Sequence, residues 1–192
     1  TYGVEGPYSI YRVGQSVGNF YGYRYLGVYP TSEDVPRIPD PTNTITDLFE
    51  RGVRGGDAAF LDVNNDGFLS RQFDRVIIGN ALPRHIGGVT NTIEYKGLEL
   101  SVVMNWLYGK RIYNMTRATL TGMLDDFNQS SEVLRRWRKP GDVTDVPRAL
   151  YGSSATSGAA PTDVSDRYLE DGSFLRFRNI TLGYTLPTAL IG

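Results

Sequence analysis

The stretch Leu98-Glu99-Leu100-Ser101-Val102-Val103-Met104-Asn105-Trp106-Leu107-Tyr108 decides the fold. In an extended strand successive side chains point to opposite faces. Leu98, Leu100, Val102, Met104, Trp106 and Tyr108 therefore share one face, and Glu99, Ser101, Val103, Asn105 and Leu107 share the other. The first face is apolar throughout. In a soluble sheet it would pack on a core, and in an outer-membrane barrel it would meet lipid, so alternation alone leaves both open. Length leans towards the membrane. The run spans the roughly 9 to 11 residues that cross a bilayer at a tilt, whereas soluble strands average about 5 to 6. Trp106 and Tyr108 then fall near an aromatic girdle, where ring and polar tip suit the interface.

Working outward, strands are expected at about 18–27, 86–95 and 173–186 as well. Between Tyr95 and Leu98 only Lys96 and Gly97 remain, which suits a two-residue hairpin turn with Gly97 at positive φ. The connections from Gly27 to Ile86 and from Tyr108 to Ser173 are each roughly sixty residues of mixed polar sequence, far beyond ordinary loop lengths. Following the chain up one strand and down the next puts both long connections at one end and the short turn at the other. That asymmetry is the habit of bacterial outer-membrane barrels. Two blemishes stand out. Arg176 and Arg178 share the parity of Ile180, Leu182, Tyr184 and Leu186, which requires them to lie above the hydrocarbon or to be paired. Asn91 interrupts the face made by Val89, Ile93 and Tyr95.

Composition agrees with a mostly β chain: 22 Gly, 13 Tyr and 10 Pro stand against only 21% charged residues in 192. A net charge of -1 supplies no basic field for nucleic acid. The absence of cysteine excludes disulfides, thiolate metal sites and cysteine nucleophiles. No run approaches the ~18 apolar residues of a membrane-spanning helix. Thr1-Tyr2-Gly3 has no signal-peptide pattern, and the chain stops soon after a strand-like run, so both ends read as interior to something longer.

Several motifs resemble one family, the SusC/RagA-like TonB-linked transporters. The run Phe20-Tyr21-Gly22-Tyr23-Arg24-Tyr25-Leu26-Gly27-Val28-Tyr29 resembles its aromatic FYGYxxxGxY stretch. In the expected order follow Asp62-Val63-Asn64-Asn65-Asp66-Gly67, Asp74-Arg75-Val76-Ile77-Ile78-Gly79-Asn80, Gly87-Gly88-Val89-Thr90-Asn91-Thr92 and Tyr95-Lys96-Gly97-Leu98-Glu99-Leu100-Ser101. Leu175-Arg176-Phe177-Arg178-Asn179-Ile180-Thr181-Leu182-Gly183-Tyr184-Thr185-Leu186-Pro187 is similar to the signature LRLRNITLGYTLP. The resemblance implies a bacterial outer-membrane barrel closed around an N-terminal plug and driven through TonB. It also implies a SusD-like surface lipoprotein as partner, with glycans or peptides as cargo. Residues 1–192 would be part of that single barrel domain, with plug and final strands absent.

Asp62, Asn64, Asp66 and Gly67 occupy positions 1, 3, 5 and 6 of a calcium loop, where alternating oxygens converge on a hard cation. Phe68 would add its carbonyl at position 7, and Ser70 would act at position 9. Position 12 falls on Phe73, and the first acid, Asp74, comes one residue late, so a bulge is needed to bring it round. Otherwise the segment is an Asx-rich turn bonded to its own backbone. Bound calcium would brace the loop rather than catalyse.

His85 is the only histidine, so no zinc site can be built on two imidazoles of this chain. Asp125 with Asp126 and Glu170 with Asp171 are adjacent acids on loops, which says nothing of the separation glycoside hydrolysis requires. No enzyme activity is expected. Arg135, Arg136, Trp137, Arg138 and Lys139 make a short cationic cluster that reads first as a solvated or salt-bridged face. In the family reading Tyr113, Arg135 and Trp137 would contact substrate or the lipoprotein. Residues 52–56 lack the context of a phosphate loop, and residues 153–161 read as a loop tip.

The fold expected is thus all-β: a fragment of an antiparallel transmembrane β-barrel with long extracellular loops, in a TonB-dependent importer. The alternative is a soluble, calcium-braced β-domain that binds carbohydrate.

Overall fold

The computed structural model describes residues 3–36, 52–67, 69–123, 128–150 and 163–187. Asp125, Asp126 and the expected loop tip at 153–161 lie outside the described residues, as does Phe68. Among the described residues the strands are β1 (Gly3–Glu5), β2 (Ser9–Arg12), β3 (Asn19–Gly22), β4 (Tyr25–Val28), β5 (Ala58–Phe60), β6 (Val76–Asn80), β7 (His85–Tyr95), β8 (Leu98–Tyr108), β9 (Arg111–Tyr113), β10 (Leu169–Asp171) and β11 (Phe174–Tyr184), with an α-helix, α1 (Met115–Thr121), and short 3-10 turns at Ser131–Arg135 and Asp166–Tyr168. Among the described residues no helix is long and apolar enough to cross a membrane.

The chain divides into two compact units, one of residues 1–79 and 113–170 and the other of residues 80–112 and 171–192.

The second unit is an antiparallel sheet in the order β11-β8-β7, each strand eleven residues long. β7 and β8 pair from His85↔Tyr108 to Tyr95↔Leu98 without a break. They are joined by a turn in which Lys96 (φ 47°) and Gly97 (φ 83°) are both left-handed. Two successive positive φ values give the turn whose twist matches that of the strands. The sequence assigned the positive φ to Gly97 alone.

On β11 the register slips between Phe177 and Asn179, so Arg178 is an extra residue with no partner on β8. This corrects the parity of the arginines. Leu175 and Phe177 stand opposite Trp106 and Met104, and beyond the bulge Ile180, Leu182 and Tyr184 stand opposite Val102, Leu100 and Leu98. Arg176 is opposite Asn105, on the other face. The bulge thus shifts the alternation by one, and one face, apolar but for Asn91 opposite Val102, continues across all three strands.

That face is bounded by aromatics at both ends, Tyr95 and Tyr184 beside the turn and Trp106 and Tyr108 at the far end. Eight residues separate Leu98 from Trp106, about 27 Å at ~3.4 Å each, or about 21 Å across a layer at a ~40° tilt, close to the ~25 Å apolar band of outer-membrane barrels. Between the aromatic rows Leu182 is 68% exposed, Ile180 61% and Ile93 58%, so the middle of the face has no protein covering it. The opposite face carries Thr90, Val103 and Asn179, then Thr92, Ser101 and Thr181, then Glu94, Glu99 and Gly183.

The first unit holds most of the two long connections and the N-terminal segment. Its four-stranded sheet runs β1-β2-β3-β6, and β4 pairs with β5. The aromatic run expected as one strand over 18–27 is broken instead. β3 and β4 belong to different sheets, and at the break Tyr23 donates its N–H to Val164 O (2.8 Å) and accepts from Asp166 N at its carbonyl (3.2 Å). Gly22 permits this approach, since a Cβ there would collide with the Val164 carbonyl. The core beneath is Tyr23, Tyr29, Val35, Val53, Ala58, Ala59, Phe60 and Leu69, with a smaller cluster of Met123, Val133 and Val146.

Candidate functional site

The acidic loop connects β5 to β6. Asp62 Oδ2 accepts from Gly67 N (2.7 Å), and Gly67 has φ +81°, the left-handed turn expected of position 6. Asn64 Oδ1 accepts from Asp66 N (3.3 Å), while Asn64 Nδ2 donates to Asp66 Oδ2 (2.7 Å). These bonds are those of an Asx-rich turn. Asp62 Oδ1 is the exception, a buried oxygen without a hydrogen-bond partner.

Asp74 is fully buried, and both its oxygens are engaged, Oδ1 by Val63 N (2.9 Å) and Oδ2 by Ser70 N (2.7 Å). It closes the loop by clasping the backbone at both ends, and no bulge is needed to bring it round. Ser70 Oγ accepts from Phe73 N (3.1 Å). Among the described residues no group of three or more carboxylates and imidazoles forms a ready metal cluster.

Trp137 is half-buried. Its indole Nε1 donates to Pro30 O (2.9 Å), its backbone N–H to Val146 O (2.9 Å), and its ring covers Gly56, where a Cβ would collide with it. The ring ties residues 30, 56 and 146 together. Arg135 is 62% exposed and pairs with Asp145 (3.2 Å), with Glu132 at 4.0 Å, and Arg138 and Lys139 of the same cationic cluster are exposed as well.

Tyr113 lies among aromatic rings, with centroids 5.2 Å from Tyr8, 6.2 Å from Phe20 and 6.1 Å from Tyr168. Burial, with Tyr168 and Tyr8 beside it, pushes its phenol well above the usual tyrosine range. Tyr8, its ring neighbour, lines a cleft of about 570 Å³ together with Glu5, Tyr23, Arg71, Arg75 and Asp163. Burial, then Asp163, pushes the Tyr23 phenol up to about 12, so it stays a hydrogen-bond donor at neutral pH. Arg75 is fixed there by Tyr21 O (2.8 Å), by the Tyr21 ring (4.6 Å) and by Glu5 (3.6 Å). The cleft draws on four separate segments, which is why no local motif announced it.

The remaining candidates have structural partners. His85 stacks on Tyr108 (6.2 Å) at the start of β7. Glu170 accepts from Asn114 Nδ2 (2.7 Å), and the Ser173 hydroxyl and backbone N–H hold the Asp171 carboxyl below its usual range.

No family model matches the chain. In sequence it is 32% identical over 180 residues to TonB-dependent receptor P26 of Formosa agariphila and 30% identical over 183 residues to TonB-dependent receptor P3 of the same organism. These alignments cover 94% and 95% of this chain but 17% and 16% of the relatives, so the chain spans about a sixth of their length. In structure it is similar to the RagAB peptide importer in its closed-closed state, with TM-score 0.65 at 22% identity over 100% of this chain and 19% of that one. A second RagAB peptide transporter structure gives TM-score 0.65 at 23% identity over 98% of this chain and 18% of that chain.

The lipid-facing sheet and these matches define a class, the TonB-dependent receptors of the bacterial outer membrane. In fold the chain resembles a stretch of the RagAB structures, in keeping with the SusC/RagA-like motifs of its sequence.

Proposed function

We propose that the protein containing this stretch imports nutrients across the outer membrane by TonB-dependent active transport. The observation that carries this reading is the largely apolar face on β7, β8 and β11, interrupted by Asn91 opposite Val102 and bounded by aromatics at both ends. A closed sheet with that exterior satisfies its backbone internally while crossing hydrocarbon. On this reading the chain is part of one barrel domain, TonB acts through an N-terminal region outside it, and a SusD-like lipoprotein covers the extracellular side.

Glycans or peptides are the proposed cargo, and the similarity to a peptide importer supports including peptides. Tyr8, Arg71 and exposed Arg135 offer phenol and guanidinium groups suited to either chain type. The role of these residues is binding and passage, with no bond made or broken at them. The test is uptake of labelled oligopeptides and oligosaccharides by cells that depend on the full-length protein. Uptake should stop on loss of TonB and fall on loss of the lipoprotein. Uptake that persists without TonB would overturn the reading.

A further inference from the structure

We propose that the cleft lined by Tyr8 and Arg71 takes the free C-terminal carboxylate of a peptide, with the Arg71 guanidinium and the Tyr23 hydroxyl as its donors. The proposal rests on the import reading above and adds to it a subsite and the chemical group held there. The cleft has a volume of about 570 Å³ and is built within the first unit, with Glu5, Tyr8, Tyr23, Arg71, Arg75 and Asp163 in its lining.

The two arginines are not equivalent. Arg75 is committed within the protein: its side chain is 9% exposed, Nη2 donates to Tyr21 O (2.8 Å), Nη1 lies 3.6 Å from Glu5, and the guanidinium covers the Tyr21 ring. Arg71 is exposed and has no ion-pair or hydrogen-bond partner among the described residues. It brings to the cleft an uncommitted guanidinium, whose paired N–H groups match the two oxygens of a carboxylate. Tyr23 supplies a second donor. Its ring is buried against Phe60 (centroids 5.3 Å), and its backbone is held on both sides by Val164 O and Asp166 N. Its hydroxyl has no hydrogen-bond partner among the described residues, so a protonated phenol is fixed in the lining before any ligand arrives.

The acids of the cleft choose among anionic ligands. Glu5 and Asp163 stand with the two arginines, so the lining balances two cations against two carboxylates. A peptide end brings one carboxylate followed by backbone N–H donors, which matches a free guanidinium beside acceptor oxygens. A polyuronate repeats its carboxylate on every sugar and would set further negative charge against Glu5 and Asp163, which is disfavoured. A neutral glycan leaves the Arg71 charge unmatched. The Tyr8 ring, partly exposed and braced by Tyr113 at 5.2 Å, offers an apolar wall to the terminal side chain.

The experiment is calorimetric binding to the full-length protein in detergent, with acetyl-trialanine as the free acid, its C-terminal amide and trigalacturonate as probes. The acid should bind about tenfold more tightly than the amide, the low end for a charged hydrogen bond because Arg71 is exposed. Added salt should shrink that preference. Arg71→Gln should abolish it, Arg71→Lys should keep part of it, and Tyr23→Phe, which retains the ring, should weaken the acid about fivefold and spare the amide. Equal binding of acid and amide, no binding of the acid, or a preference that survives Arg71→Gln would overturn the proposal. Tighter binding of trigalacturonate than of the acid would overturn the peptide and give the cleft to a sugar acid. Uptake that persists without TonB would sink the import reading while leaving these affinities as measured, and equal affinities would sink the subsite while leaving TonB-dependent uptake intact.

Discussion

Arg148 grips Asp57 at two points, Nε to Oδ1 at 2.6 Å and Nη2 to Oδ2 at 3.1 Å, joining the two long connections of the chain. Asp57 is 1% exposed and also accepts Arg54 N at 2.8 Å, so loss of Arg148 would leave this buried carboxylate short of two of its donors. Arg148→Ala should destabilise the first unit by about 3 kcal/mol, the low end for breaking a buried pair, because the guanidinium is 31% exposed. Lysine cannot reproduce the two-point grip, so Arg148→Lys should recover only part of the loss. Hydrogen exchange at residues 53–60 in the full-length protein measures both.

Gly87 and Trp106 face each other across β7 and β8, and a Cβ at Gly87 would collide with the indole. Gly87→Val should cost about 1 to 3 kcal/mol by overpacking. Adding Trp106→Ala should return much of that, since contacting residues do not add independently. Urea unfolding of the barrel in lipid vesicles would show the non-additivity. Equal and additive losses would remove this contact from the account.

The middle of the lipid face should reject charge. Val102→Arg, near the middle of the apolar band, should cost about 2 to 4 kcal/mol. Thr181→Arg on the opposite face should cost much less, because that face already carries Arg176 opposite Asn105. The amount of each variant folded in the outer membrane reads the contrast directly.

Glu132 accepts two hydrogen bonds from Arg117, at 2.7 and 3.0 Å. That pairing, against the cost of burial, holds its carboxyl below the usual glutamate range. A depressed folded pKa gives stability that is fully present above the unfolded value, roughly pH 4.3, and lost as pH falls through the folded value. The pair at the start of α1 should therefore be insensitive between about pH 6 and 8 and weaken in acid, by about 1 kcal/mol given its partial exposure. In Glu132→Gln the acid-dependent part should vanish. Exchange of peptides over 114–123, corrected for the intrinsic pH effect, is the measurement.

The long strands were readable because lipid imposes a simple rule on them. β8 falls at 98–108 as read, β7 begins at His85 and not Ile86, and β11 runs 174–184 inside the expected 173–186. Arg178 broke the rule, since a bulge changes which face a residue takes without leaving a local mark. The aromatic run misled for another reason. Tyr21 and Tyr23 have the residue types of a barrel strand, but Val164 and Asp166, more than a hundred residues on, divide that run. At the acidic loop the spacing of Asp62, Asn64 and Asp66 was legible, whereas Asp74 as a backbone clasp depends on where Val63 and Ser70 lie in space.

The union of Asp57 with Arg148, together with the Trp137 indole on Pro30, has a mechanical meaning. Two spans that look independent along the chain are bolted to one another. Neither can swing by more than the reach of a hydrogen bond unless those links part or the other span travels with it. A pull, a tag or an antibody that moves the chain at Asp57 or Pro30 is felt at Arg148 and Trp137 as well.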